Sequence, residues 1–383
     1  MLNKLKKLDL GIIAILLCLM GVSVVAVHSA TLYTAGFNNL EIKQLAYYGL
    51  GFFIAIASVF FDYRIVLKSW LVLYGIGITL LILVYFVGAE LNGAKGWFKL
   101  MNGAISVQPA EIVKLILIIG LAYLIGRRQG DRLNFSNDLL PIFAFSFLPF
   151  LLVMIQPDLG NAIIYIVIVV GMLWIGNVKY VHAAIGLAIV AGCVVLFMSL
   201  FNAFNEEIKD FLKEQNKIHW YERINTFVNP EQASKDARHQ AENAEMAIGS
   251  GGLSGQGYLQ GKLKNAGFIP YAYSDSIFVV VGEEFGFQGA AILLMLYFLL
   301  IYRMIMIAFK CYDRKASYII IGIVSMFVFQ IFQNVGMMIG LMPITGITLP
   351  FVSYGGSSLI INMLSIGLVF SIKAHQEVYE LAE

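Results

Sequence analysis

Ten apolar runs of membrane-spanning length divide this chain, and they fix its class before any single residue is considered. They fall at about 9–28, 43–61, 66–87, 104–126, 139–155, 159–176, 180–201, 274–302, 316–341 and 355–373. A bilayer core about 30 Å thick takes roughly 20 residues of helix. No water is present there to satisfy the backbone, so a spanning chain is helical or a closed barrel. Runs this long and this apolar are helices. Composition agrees: 59% of residues are hydrophobic and 13% charged, against about a quarter charged in a soluble domain. The reading is an all-α integral membrane protein of about ten transmembrane helices. It forms a single polytopic membrane domain over residues 1–383, with a large extracytoplasmic loop at 202–273 between helices 7 and 8. The net charge of +2 is dispersed among loops rather than gathered in a patch, so no nucleic-acid partner is expected.

Basic residues orient the bundle. Lys4, Lys6 and Lys7 precede a first run that continues to about Val27 without a small-residue cleavage site, so it reads as a retained span rather than a signal peptide. One set of loops carries those lysines together with Arg64, Lys68, Arg127, Arg128, Arg132, Lys179, Arg303, Lys310, Arg314, Lys315 and Lys373. The short opposite loops carry Lys43, Lys95 and Lys99. Lysine and arginine stay on the cytoplasmic side. The expected arrangement is a multi-pass protein with both termini cytoplasmic and 202–273 outside. The connection Gln156-Pro157-Asp158 is so short that a tight re-entrant turn is an alternative to two full spans.

Candidate chemistry collects toward the outer side. Asp275 lies in Ile269-Pro-Tyr-Ala-Tyr-Ser-Asp-Ser-Ile-Phe278, where a long polar segment meets a span, and Gly282-Glu283-Glu284 follows. An ionisable group at such a place is costly and reads as functional by default. At 100° per residue Glu283 would lie about 80° round from Asp275 and about 12 Å deeper, with Glu284 on the opposite side. Both glutamates are therefore expected to bond neighbouring helices or backbone. Gln108-Pro-Ala-Glu-Ile-Val-Lys114 sets Glu111 and Lys114 on one helical face. The two either form a buried pair that fixes packing or offer a cation to a phosphate-bearing lipid head. Asp158 in Gln156-Pro-Asp-Leu-Gly160 fits a helix cap. The run Gly249–Gly257, with Gly261 and Gly267, lacks phosphate-loop spacing. It suits close backbone approach or a hinge. Met342-Pro-Ile-Thr-Gly-Ile-Thr-Leu-Pro-Phe-Val-Ser-Tyr-Gly-Gly-Ser-Ser358 cannot continue a helix, and at membrane depth such backbone lines a site or is buried in protein. Cys18, Cys193 and Cys311 are isolated, and the five histidines show no ligand spacing, so no metal site of that kind is read.

Together these blocks resemble the SEDS family, the RodA, FtsW and SpoVE proteins of bacterial shape, division and sporulation, from the first span to the last. The short N-terminus leans toward RodA. The resemblance implies a ten-span peptidoglycan glycosyltransferase of the bacterial plasma membrane, polymerising lipid II for wall elongation beside a class B penicillin-binding protein that crosslinks the product. It places the family's external aspartate on Asp275. In the implied chemistry Asp275 is the base for an inverting transfer from an undecaprenyl-pyrophosphate-linked glycan, which needs one base and no carboxylate nucleophile. Candidate substrate contacts are Gln108, Glu111, Lys114, Arg223, Ser274 and Ser353, and a divalent cation such as Mg or Mn is a candidate cofactor. The chain departs from common family patterns at Ser276, Asn161 and His239. Two other classes fit a multi-span protein with buried charges: a lipid II flippase, and a non-catalytic scaffold for the transpeptidase.

Overall fold

The computed structural model describes residues 4, 6–32, 39–91, 94–100, 105–214, 221, 225 and 235–376. Among them nine helices are long and apolar enough to cross a membrane, and Leu159–Ile175 adds a shorter apolar helix of 17 residues. These correspond one for one to the ten expected spans. In chain order the helices are α1 (Leu10–Thr31), α2 (Leu40–Ala57), the short α3 (Tyr63–Lys68), α4 (Trp70–Val87), α5 (Pro109–Gly126), α6 (Leu140–Ile155), α7 (Leu159–Ile175) and α8 (Tyr180–Ala203). There follow α9 (Asn205–Glu214), α10 (Lys235–Ser250), α11 (Lys262–Asn265), α12 (Ile277–Phe309), α13 (Arg314–Met338) and α14 (Gly356–His375). Helix α5 is the central post, with 83% of its apolar window buried, whereas α8 is peripheral at 6%. The turn at 156–158 joins α6 and α7, which pack against each other, so this pair is helical on both sides of Pro157.

Local signals set the helix starts. Asp9, Asp62, Asp158 and Asp313 each accept a backbone N–H of the first turn, from Ile12, Arg64, Asn161 and Lys315 respectively. Such caps satisfy donors that helix geometry leaves free. Pro109 stands in the first turn of α5, where its missing N–H costs nothing. That start is later than the 104 expected. Ile105–Val107 instead pairs antiparallel with Phe98–Leu100, and Ala94–Leu100 pairs with Ala89–Leu91 in a three-stranded ribbon. An all-α expectation misses this ribbon because a short polar-apolar alternation between spans reads as loop.

Helix α12 is the other surprise. Its 33 residues would run about 50 Å, well beyond a bilayer core. It is broken at Gly286, whose φ of 64° and ψ of −161° are non-helical. The glycine-rich run closes against the break. Gln256 and Gly257 donate their N–H groups to the carbonyls of Glu283 and Glu284, at 3.0 Å each, and Phe287 N donates to Gly252 O at 2.9 Å. The glycines allow backbone to lie on backbone: a Cβ on Gly255 would fall 2.1 Å from Glu284 O, and one on Gly251 2.0 Å from Gly282 O. This resolves the run as a clasp.

At the opposite end of α12 the chain's two ends meet. Asp9 pairs with Lys373 at 2.9 Å and Arg303 at 3.3 Å, and Lys4 Nζ reaches His375 Nε2 at 2.8 Å. The first and last described residues therefore lie at the same end of the bundle. Burial alone would raise the Asp9 carboxyl, yet the Lys373 and Ile12 hydrogen bonds and the nearby cations hold it below its ordinary value.

Replacing Gly255 with Ala should open the clasp, because the obstructing atom is backbone and cannot rotate away. The expected cost is about 1–3 kcal/mol, read as a lower melting temperature of purified protein in detergent. Ala at Gly249, which meets nothing within 4 Å, should leave it unchanged.

Candidate active site

Asp275 does not sit on a helix. It lies on the turn before α12, two residues ahead of Ile277, and is half-buried. Three consecutive carbonyls of that turn are fixed from outside. Tyr273 O accepts Tyr354 N at 2.9 Å, Ser274 O accepts Ser353 Oγ at 2.6 Å, and Asp275 O accepts Asn334 Nδ2 at 2.7 Å. The turn is thus sewn to the segment 343–355, whose own backbone is satisfied by side chains. Asn334 Nδ2 also donates to Ile347 O at 2.7 Å, and Gln333 Nε2 to Pro343 O at 3.1 Å. Tyr297 bonds Pro350 O, Tyr48 bonds Phe351 O, Ser23 bonds Val352 O and Gln44 bonds Ser353 O. Four successive carbonyls take donors from α12, α2, α1 and α2. Without them this irregular backbone would be prohibitively costly in a buried setting.

The loop then reaches the carboxylate itself: a Cβ at Gly346, where φ is 74°, would sit 3.8 Å from Asp275 Oδ2. On its other side it meets α7, where a Cβ at Gly160 would lie 2.8 Å from Ile347 Cγ1 and 3.3 Å from Thr345 O. Asp158 caps α7 and accepts Gln108 Nε2 at 2.6 Å and Asn161 Nδ2 at 2.8 Å. Asn161, a departure from the common family residue, therefore adds a bond within the cap. The N-termini of α5, α7, α12 and α14 so gather at one end of the bundle around the 343–355 segment.

Glu283 and Glu284 behave as the sequence indicated. Glu283 accepts the N–H groups of Leu263 at 2.7 Å and Lys264 at 3.2 Å. Glu284 pairs with Lys264 Nζ at 2.6 Å and accepts Ser29 Oγ at 2.7 Å. Both acids are spent on holding the clasp and α11.

A family model for FtsW, RodA and SpoVE, described as cell cycle protein, matches residues 7–378. The chain belongs to this SEDS family. It is 30% identical over 379 residues to stage V sporulation protein E of Bacillus subtilis, covering 96% of this chain and 97% of that one. To the Escherichia coli peptidoglycan glycosyltransferase MrdB it is 31% identical over 372 residues, covering 97% and 94%. The similar identities to these two relatives single out no subgroup, RodA included. Among solved structures, a chain from work on structural coordination of polymerization and crosslinking by a peptidoglycan synthase complex superposes with TM-score 0.76 at 28% identity, covering 96% and 98%. The crystal structure of Thermus thermophilus rod shape determining protein RodA gives 0.67 at 27%, covering 97% of each chain. The SEDS fold, a multi-pass membrane architecture, is therefore this chain's own.

Within this SEDS fold the expected site residues separate into two groups. Asp275, Ser274 and Ser353 are brought together directly. Gln108, Glu111 and Lys114 follow α5, where Gln108 braces the Asp158 cap and Lys114 Nζ pairs with Glu111 Oε1 at 2.7 Å. Lys114 has no exposed surface, so its charge faces protein. Arg223 lies outside the described residues. Sequence reading missed Tyr48, Gln44, Ser23 and Tyr297 as loop supports; their one signal is a polar group on an otherwise apolar helix. Asn334 carried the same signal.

Substituting Lys114 with Met alone should strand a buried carboxylate and destabilise the bundle by about 3–5 kcal/mol. The double change Glu111→Gln with Lys114→Met should recover most of it. Folded yield and melting temperature of the two variants beside wild type in detergent check the pattern.

Proposed function

We propose that this chain is a peptidoglycan glycosyltransferase that polymerises lipid II, with Asp275 as its general base. One observation carries the assignment of the base: the carbonyls of residues 273, 274 and 275 are each held by another part of the chain, so the acid is aimed before any substrate arrives. The carboxylate takes the proton of the 4-hydroxyl on an incoming lipid II sugar. The oxygen attacks the anomeric carbon of the growing chain from the face opposite its pyrophosphate. The carbon–oxygen bond to undecaprenyl pyrophosphate breaks, its electron pair leaves with the pyrophosphate, and the α-linked donor becomes a β-linked glycan. Inversion needs a single displacement, so Glu283 and Glu284 are free for structural work.

In this reading the pyrophosphate departs at the end of the bundle where the N-termini of α5, α7, α12 and α14 meet. Gln108 and the Glu111–Lys114 pair support this region by holding the α5 and α7 ends, and Ser274 and Ser353 by fixing the turn. No three His, Cys, Asp or Glu side chains converge among the described residues, and a Mg or Mn ion held by one carboxylate and the phosphates of the substrate would not need them. No step here is routed through one. The basic end, where Asp9 meets Lys373, belongs in the cytoplasm by the positive-inside rule, which turns Asp275 outward to translocated substrate. The likeness to a peptidoglycan synthase complex supports work beside a class B penicillin-binding protein, in wall elongation of the bacterial plasma membrane.

Asp275→Asn keeps the size and removes the base. Purified variant should polymerise lipid II about 10²–10⁴-fold more slowly than wild type, with an unchanged melting temperature. A near wild-type rate refutes the base. Absence of glycan from wild type, alone and with an active transpeptidase partner, refutes polymerisation and leaves flippase or scaffold.

A further inference from the structure

Tyrosine serves two purposes in this protein, and the contrast marks a surface. Tyr48, Tyr165 and Tyr297 are fully buried, with each hydroxyl spent on a backbone carbonyl. Tyr47, Tyr354 and Tyr273 are different: all three are partly exposed and lie in a row beside the carboxylate. Ring centroids are 6.3 Å apart for Tyr47 and Tyr354 and 6.0 Å for Tyr354 and Tyr273, and the rings are inclined by 56° and 71°, so the row is a stepped surface whose faces turn in different directions. The row is assembled from three separate elements: α2, the 343–355 segment and the turn of Asp275. Tyr354 N and Tyr273 O are hydrogen-bonded at 2.9 Å, which locks the second and third rings together. Gly356 makes room for the first, because a Cβ there would fall 2.8 Å from Tyr47 Cζ. Tyr273 is two residues from Asp275.

Resting on the reading of Asp275 as the base, we propose that Tyr47, Tyr354 and Tyr273 form an aromatic platform for the sugar rings of the acceptor disaccharide. A hydroxyl that gives its proton to Asp275 lies within hydrogen-bond reach of it. The ring bearing that hydroxyl therefore lies against the neighbours of Asp275, and the row of tyrosines extends from there. Sugars of the gluco configuration turn C–H bonds to their faces and hydroxyls to their rims. An aromatic face meets the first, and a tyrosine hydroxyl meets the second. Burial pushes the Tyr354 hydroxyl up to about 12, with Tyr47 and Tyr273 adding to it. Burial likewise raises Tyr273, followed by the charges of Tyr271 and Asp275. Both stay protonated at neutral pH, and the Tyr354 hydroxyl, hydrogen-bonded to Tyr47, keeps its oxygen as an acceptor for a sugar hydroxyl. The three are positioning residues.

The probe is the free, lipid-less muropeptide disaccharide, added to purified full-length protein. Saturation-transfer NMR should show its ring protons receiving magnetisation from wild type. Tyr354→Ala and Tyr47→Ala should lower that signal and raise KM for lipid II about 5–20-fold, with kcat changed much less and shorter glycans made. Tyr354→Phe and Tyr47→Phe, which keep the ring, should restore KM to within about 3-fold; a purely structural role would instead track melting temperature. Saturation transfer and KM that survive both Ala changes in folded protein overturn the platform. Wild type that receives the disaccharide yet makes no glycan overturns the polymerase reading and not the platform.

Discussion

Every part of this protein answers to one constraint: a peptide group deprived of water keeps a partner or the structure pays for its loss. Most of the chain meets it within helices. The 343–355 segment cannot, because two prolines and repeated glycines forbid a helix there. Its carbonyls are met one at a time by Tyr297, Tyr48, Ser23, Gln44 and Asn334, drawn from α12, α2, α1 and α13. Those same helices are thereby bound to the loop, and through Ser353 and Asn334 to the turn of Asp275. Positioning of the acid and packing of the bundle are one set of bonds.

The spans were legible because twenty apolar residues have few alternatives, and the α7 cap because Asp158 precedes a run; the caps at Asp9 and Asp313 came from the structure. Asp275 stood out for the same reason, as a charge in a costly place. What stayed hidden was contact between distant segments. Nothing local in Tyr48 or Gln44 says that their partners lie some 300 residues away. The glycine run admitted both a hinge and a close approach, and only the break at Gly286 decides between them. The Phe98–Val107 pairing escaped because a three-residue strand has too little pattern to separate from a loop.

Charges that looked alike in the sequence have separate duties. Glu283 and Glu284 close α11 and the clasp, Asp158 caps α7, and Glu111 neutralises Lys114. Asp275 is the acid whose surroundings are arranged around its backbone, leaving the carboxylate beside the open face of Gly346. Geometry sorts the acids that composition counts together.

The bonds from Ser23 and Gln44 to residues 352 and 353, and from Asp9 to Lys373, join the beginning of the chain to its end. Synthesis runs in one direction. Helices α1 and α2 enter the bilayer with Ser23 and Gln44 bonded to each other, and their further partners at residues 352 and 353 are made late in translation. The turn of Asp275 is fixed only when residues 343–354 arrive, so a chain halted before them holds its acid but has no site.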